Sequence, residues 1–245
     1  MSKKHRKLVI FSGAGLSADS GIATFRDSDG LWASYDPLEV CNFKNWEKNY
    51  ELVHRFYNLR REELKSVKPN AMHEFLASLV DLLARESIEV VYLTQNVDDL
   101  LERAGAQNVI HLHGELTKII CPKCHHISDI GYECFDSTTP CPKCHNKKQK
   151  PKIVFFYESA PLYEVMNAVF FSLGKDDSVL VVGTSGSVIP IGLILGQSRQ
   201  IGLKILNNLA PSSYIDERLF DKVIYSKAIE TIPQIKQEIE AFFGI

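Results

Sequence analysis

A chain of 245 residues, 45% hydrophobic and 24% charged with a formal net charge of -2, can form one sizeable core or a full domain carrying a smaller insertion. Its size excludes a disulfide-stapled miniprotein, and its charge gives no bulk electrostatic case for nucleic acid or an anionic membrane. The basic start MSKKHRK leads into Leu8–Phe11, too short for a signal-peptide core, and no run approaches the roughly 20 apolar residues of a membrane-spanning helix, so a reducing cytoplasm is the expected location.

The first predicted strand, LVIFS (8–12), runs straight into Gly13-Ala14-Gly15-Leu16-Ser17. Glycines in a strand-to-helix turn let the backbone approach a pyrophosphate whose charge rests on the helix N-terminus. A hydride-transferring dinucleotide enzyme should next show a second strand ending in an acidic residue about 20 positions on. Instead comes the polar loop Ile22-Ala23-Thr24-Phe25-Arg26-Asp27-Ser28-Asp29-Gly30, suited to closing over a cofactor and excluding water.

Residues 35–68 hold a helical pattern, NWEKNYELVHRFYNLRREELKSV, with no strand before it. Helix 71–87 and strand VVYLT (90–94) follow. Thr94-Gln95-Asn96-Val97-Asp98 then falls where open α/β sheets bind ligands, and its amides and carboxylate can hydrogen-bond ribose hydroxyls and a carboxamide. Asp98 also suits the first turn of the next helical pattern, 98–105. Strand VIHLH (109–113) brings His111 and His113 to one face in the same crevice, and a histidine there suits a general base.

Cys121-Pro-Lys-Cys124 and Cys141-Pro-Lys-Cys144 are two C-x-x-C knuckles with sixteen residues between them, the spacing of a tetrahedral four-cysteine zinc site. Four thiolates leave no open coordination position, so the metal is expected to be structural. Cys134, His125, His126 and His145 are alternative ligands outside the paired knuckles, and Cys41 lies outside the module. Lysines 123, 143, 147, 148 and 150 lack interleaved aromatic residues and are expected to form a solvated face.

Strands IVFF (153–156), SVLVVGT (178–184), LKILN (203–207) and KVIY (222–225) and helix 231–243 complete the pattern. Unbroken apolar strands alternating with helices imply an α/β fold with a doubly wound, Rossmann-like parallel sheet. The expected division is a large domain from 1–34, 69–118 and 152–245, and a small one from the helical insertion 35–68 and the zinc part 119–151.

Gly13-Ala14-Gly15, Ser17, Ser20-Gly21-Ile22, Phe25-Arg26, Thr94-Gln95-Asn96-x-Asp98, His113-Gly114, the two knuckles, Gly183-Thr184-Ser185 and Asn208 occur in one order and spacing. In this, the chain resembles a sirtuin, an NAD-dependent protein lysine deacylase, over roughly residues 7–243. The resemblance implies that Gly13, Ala14, Gly15, Ser17, Phe25, Arg26, Trp32, Gln95, Asn96, Asp98, Gly183, Thr184, Ser185, Asn208 and Ala228 surround NAD, with one structural zinc nearby. Catalysis would rest on His113 as base, with Asn96 and Asp98 holding the nicotinamide carboxamide. The acyl-lysine carbonyl would attack C1′ of the nicotinamide ribose, and deacylation would release nicotinamide and O-acyl-ADP-ribose.

Tyr57 and Arg60, spaced i and i+3, resemble the subgroup that removes succinyl and malonyl groups, with Arg60 pairing a distal carboxylate. Ala23 stands where the family usually has Pro, and Tyr157 where it usually has Gly. The expected partners are acylated lysine side chains of proteins, with no specific nucleic acid or membrane. Protein ADP-ribosylation, or a non-catalytic NAD-sensing or zinc-ribbon module, are the competing functions, and an intact His113 beside Asn96 and Asp98 argues against the latter.

Overall fold

The computed structural model describes residues 6–22, 34–198 and 200–245. In chain order the main elements are β1 (Arg6–Ser12), α1 (Gly15–Ala18), α2 (Pro37–Val40), α3 (Tyr50–Ser66), α4 (Ala71–Ala84), β2 (Ile88–Thr94), α5 (Leu100–Arg103), β3 (Ile110–His111), β4 (Gly114–Ile120), β5 (Ile127–Asp129), β6 (Lys150–Ile153), α6 (Leu162–Ser172), β7 (Ser178–Val182), α7 (Ile191–Gln197), β8 (Leu203–Asn208), β9 (Lys222–Tyr225) and α8 (Ile232–Phe243).

Six strands form one parallel sheet in the order β3-β2-β1-β7-β8-β9. The chain builds outward from β1 to β3, then returns to β7 on the other side of β1 and builds outward to β9. The topology therefore reverses between β1 and β7, where open α/β sheets leave a crevice at the strand carboxyl ends. Side chains on β1 alternate between the two faces. Leu8 and Ile10 join one core with Leu76, Leu79 and Leu83 of α4 and Ile235 and Ile239 of α8. Val9 and Phe11 join the other with Met166 and Phe170 of α6 and Leu195 of α7. Both faces are covered, which is why these strands read as unbroken apolar runs.

A second sheet, β5-β4-β6, is antiparallel. The predicted strand 153–156 is corrected here. Its chemistry suited the parallel sheet, but β6 ends at Ile153 and pairs with β4, because the chain beyond is held elsewhere. Val154 N–H donates to His113 O, and Phe156 N–H donates to Cys41 O. Strand 109–113 contracts to the two residues of β3, and the helical pattern from Asn45 becomes regular only at Tyr50. Helices α6 and α7 and strands β4 and β5 lie outside the predicted elements.

Helix α3 packs Val53, Phe56, Tyr57 and Leu64 against Trp46, Leu116, Ile153 and Phe155. Polar groups join it to the cysteine-rich segment. Asn58 donates to Phe135 O (3.1 Å) and accepts from Phe135 N (2.9 Å), while His54 Nε2 donates to Gln149 O (2.9 Å). The buried Arg61 guanidinium donates to Glu133 O, Leu116 O and Asn58 Oδ1. A buried arginine is tolerated only when its donors are matched in this way, and none of these contacts is written in a local motif.

Candidate active site

The glycine turn after β1 lies against the turn after β7. Gly13 N–H donates to Val182 O (3.0 Å) and Gly15 N–H to Gly183 O (2.8 Å). A Cβ on Gly15 would stand 2.8 Å from Gly183 Cα, and one on Gly183, whose φ is +66°, would stand 2.3 Å from Leu16 N. Glycine is therefore required by the crossing of two backbones as well as by any ligand.

Below that turn, Ser17 Oγ donates to Asp98 Oδ2 (2.9 Å) and accepts from Asn96 Nδ2 (3.0 Å). His73 Nδ1 accepts from Asn70 N–H, which leaves its Nε2–H facing Ser17 Oγ at 3.4 Å. Burial lowers the His73 pKa to about 4, so the ring stays neutral. Burial also raises the Asp98 pKa, against the opposing hydrogen bonds from Ser17 and Leu100 N–H. Asp98 thus serves the first turn of α5 and the crevice together. Asn70 caps α4 and reaches back to Leu16 O (2.9 Å) and Ser20 Oγ (3.1 Å), fixing α1 from outside the glycine motif. Asn70 and His73 were missed by motif reading; an Asn immediately before a helical pattern was their only signal.

Gln95 spans the switch point, donating through Nε2 to Thr184 Oγ1 (2.9 Å) and Ser12 O (3.3 Å). Asn208, at the end of β8, accepts from Thr184 N–H (3.0 Å) and donates to Thr184 O (2.8 Å), and Ser212 Oγ donates to Ser185 O (2.6 Å). The strand ends carrying Gly183, Thr184 and Asn208 are thereby locked together. Ala14 sits just before α1, and Ala228 is buried just after β9. Phe25, Arg26, Trp32 and Ala23 lie outside the described residues.

His111 and His113 do not act as a pair, because β3 ends at His111 and the alternation ends with it. Both His111 nitrogens face acceptors, Asn96 O (2.9 Å) and Glu102 Oε1 (2.6 Å), an arrangement that favours the imidazolium. Burial opposes that charge, but the Glu102 carboxylate outweighs it and raises the pKa. His113 Nδ1 donates to Gln95 O (3.1 Å), leaving Nε2 as the basic nitrogen, and burial lowers its pKa despite that hydrogen bond. At neutral pH, His113 is an uncharged base, whereas Glu102 biases His111 toward its charged form.

The four knuckle sulfurs converge within 4.8 Å of one another, with Cys121–Cys144 at 3.5 Å and Cys124–Cys141 at 3.6 Å. Tetrahedral zinc with bonds of about 2.3 Å would place its sulfurs about 3.8 Å apart, so the set fits that ion. The knuckles repeat one geometry. His125 N–H donates to Cys121 O, and His145 N–H to Cys141 O, both histidines in the left-handed region at φ +57°. They are turn residues; with His126 and the exposed Cys134 they stand outside the converging group.

Tyr57 is buried and stacks on Phe155 at 5.8 Å. Arg60 Nε lies 3.5 Å from Glu63 Oε2. Tyr157 adopts φ +66°, is 66% exposed and lies under Lys44 Nζ at 4.5 Å.

A doubly wound parallel sheet with a glycine crossing at its switch point, and a four-thiolate module beside it, define an α/β protein built to bind a dinucleotide. The sequence matches the Sir2 family over residues 13–190. A Helicobacter hepaticus protein named NAD-dependent protein deacylase is 58% identical, over 97% of this chain and 98% of its own. A Campylobacter jejuni protein of the same name is 43% identical, over 97% of each. A crystal structure of a Sir2 homolog–NAD complex superposes with a TM-score of 0.80 at 32% identity, over 97% of this chain and 90% of that one. The chain belongs to the Sir2 family.

Proposed function

We propose that the protein is an NAD-dependent protein lysine deacylase. The observation that carries this is His113, neutral and with Nε2 as its basic nitrogen, beside the Gln95–Asp98 loop at the switch point. The glycine crossing of Gly13, Gly15 and Gly183 takes the pyrophosphate, with Ala14, Ser17, Phe25, Arg26, Trp32, Thr184, Ser185, Asn208 and Ala228 around the nucleotide. Asn96 and Asp98 hold the carboxamide of the leaving nicotinamide. The acyl oxygen takes its place at C1′, and His113 accepts a proton from a ribose hydroxyl so that the acyl group can transfer. Zinc on Cys121, Cys124, Cys141 and Cys144 holds the 119–151 segment in shape.

The substrates are acylated lysine side chains of proteins, succinyl and malonyl as well as acetyl. Tyr57 and Arg60 share a face of α3, and an incoming carboxylate would compete with Glu63 for the guanidinium. Residues 35–68 and 119–151 make up a small domain, supported by the Asn58, Arg61 and His54 bridges. Four thiolates held for a metal suit a reducing, cytoplasmic setting. No helix among the described residues is long and apolar enough to cross a membrane.

The test is nicotinamide release from NAD with matched acetyl-lysine and succinyl-lysine peptides. Release dependent on an acylated peptide is expected; none with either peptide would end the proposal. Arg60→Met should lower succinyl turnover at least tenfold and spare acetyl turnover, and equal effects on both would remove Arg60 from acyl selection.

A further inference from the structure

The Tyr163 hydroxyl lies 2.7 Å from His113 Nε2. It is the first turn of α6 that places it there. Pro161 and Leu162 begin the helix, Tyr163 N–H donates to Ala160 O, and the ring packs against the core of α6, β1 and β7. The two rings are tilted by 49° with centroids 5.9 Å apart, so the contact between them is the hydrogen bond and not stacking.

Its direction follows from the partners. Gln95 O can only accept, so Nδ1 carries the hydrogen of the neutral ring. Nε2 is then the acceptor, and Tyr163 must be the donor. The lone pair that a general base needs is therefore occupied by a phenol proton. A sugar hydroxyl can deliver a proton to Nε2 only after taking the phenol's place.

Resting on the deacylase proposal above, we infer that Tyr163 is a positioning residue that holds the His113 lone pair in line until a substrate hydroxyl replaces it. A bond donated to the unprotonated ring favours that form, so Tyr163 helps keep His113 neutral in the free protein. Once the sugar is bound, the phenol no longer makes that contact. Tyr163 should therefore act on the free protein and not on the substrate complex.

Among the described residues, the charged and titratable groups on the neighbouring elements are engaged with other partners. On β4, Glu115 is paired with Lys118 and with Lys152 of β6; Lys150 is paired with Glu158; and His111 is paired with Glu102. Asp98 is engaged by Ser17.

The test is Tyr163→Phe, which keeps the ring in its packing and removes only the hydroxyl. In the ligand-free protein, imidazole 15N resonances should show the His113 titration moved upward by about half a pH unit or more. With NAD and acyl-lysine peptide, the acidic limb of kcat/KM should move by the same amount, while that of kcat stays in place. At pH well below the His113 titration, kcat/KM should fall about threefold further than it does at pH 8. An unchanged His113 titration would overturn the inference, as would equal shifts of both limbs. Since the resonance measurement needs no turnover, a shifted titration in a protein without deacylation would sink the enzymatic proposal and leave the Tyr163–His113 contact standing.

Discussion

Gly183→Ala is the most demanding perturbation of the switch point. Two costs add. At φ +66° a residue with a Cβ pays about 1–2 kcal/mol that glycine does not. The new Cβ would also stand 2.3 Å from Leu16 N and 2.6 Å from Gly15 C, whereas ordinary contact begins at about 3.4 Å. The difference, about 1 Å, must be met by backbone, because no flexible side chain is there to yield. Together these should cost roughly 3–5 kcal/mol, a large part of the stability of a typical domain. The displaced atoms belong to the turn proposed to cradle the pyrophosphate, so NAD affinity should fall at least tenfold. Gly105→Ala is the control. Its φ is +108° with nothing within 4 Å of the added carbon, so it carries strain without overlap and should cost about 1–2 kcal/mol. Urea unfolding and NAD titration calorimetry on both variants decide the matter. If Gly183→Ala loses no more stability than Gly105→Ala and binds NAD as the parent does, the crossing of the two turns is not a constraint.

His113→Asn should lower peptide-dependent nicotinamide release or acyl transfer by about 10²–10⁴ while leaving the unfolding midpoint nearly unchanged; a parallel collapse of stability would mean that the ring is structural. Metal analysis should find one zinc per chain, and a strong chelator or Cys141→Ser should abolish hydrogen-exchange protection in 119–151 before it affects β1 and β7; retained protection at the knuckles without metal would refute the structural role. His54 and His73 have folded pKa values of about 4 against 6.5, so the unfolded chain binds more protons between those values and stability must fall as pH drops through that window. Between pH 7 and pH 5 the loss should be roughly 2 kcal/mol for each, read from urea unfolding, and a pH-independent midpoint would show that the rings are not buried neutral.

Local chemistry made the zinc knuckles legible. Cys-Pro-Lys-Cys occurs twice, and each copy forms the same turn whatever surrounds it, so four thiolates could be assigned from spacing alone. Strands β1, β7 and β8 were equally plain, since burial on both faces removes polar residues from the run. Residues 153–156 are as apolar as those strands, but composition does not say which sheet a strand joins. That was decided by the backbone partners His113 and Cys41, distant in sequence.

The residue types of the crevice, Gly13, Gly15, Ser17, Gln95, Asn96, Asp98, His113, Gly183 and Asn208, were determined by the sequence, together with the alternating pattern that makes a doubly wound sheet. Tertiary structure alone decided their states. His111 and His113 are two residues apart and chemically identical, yet a carboxylate favours the charged form of one and a phenol occupies the other's lone pair. Glu102 and Tyr163 lie on α5 and α6, brought to those rings by packing on the sheet, and a protonation state depends on the neighbours that folding supplies.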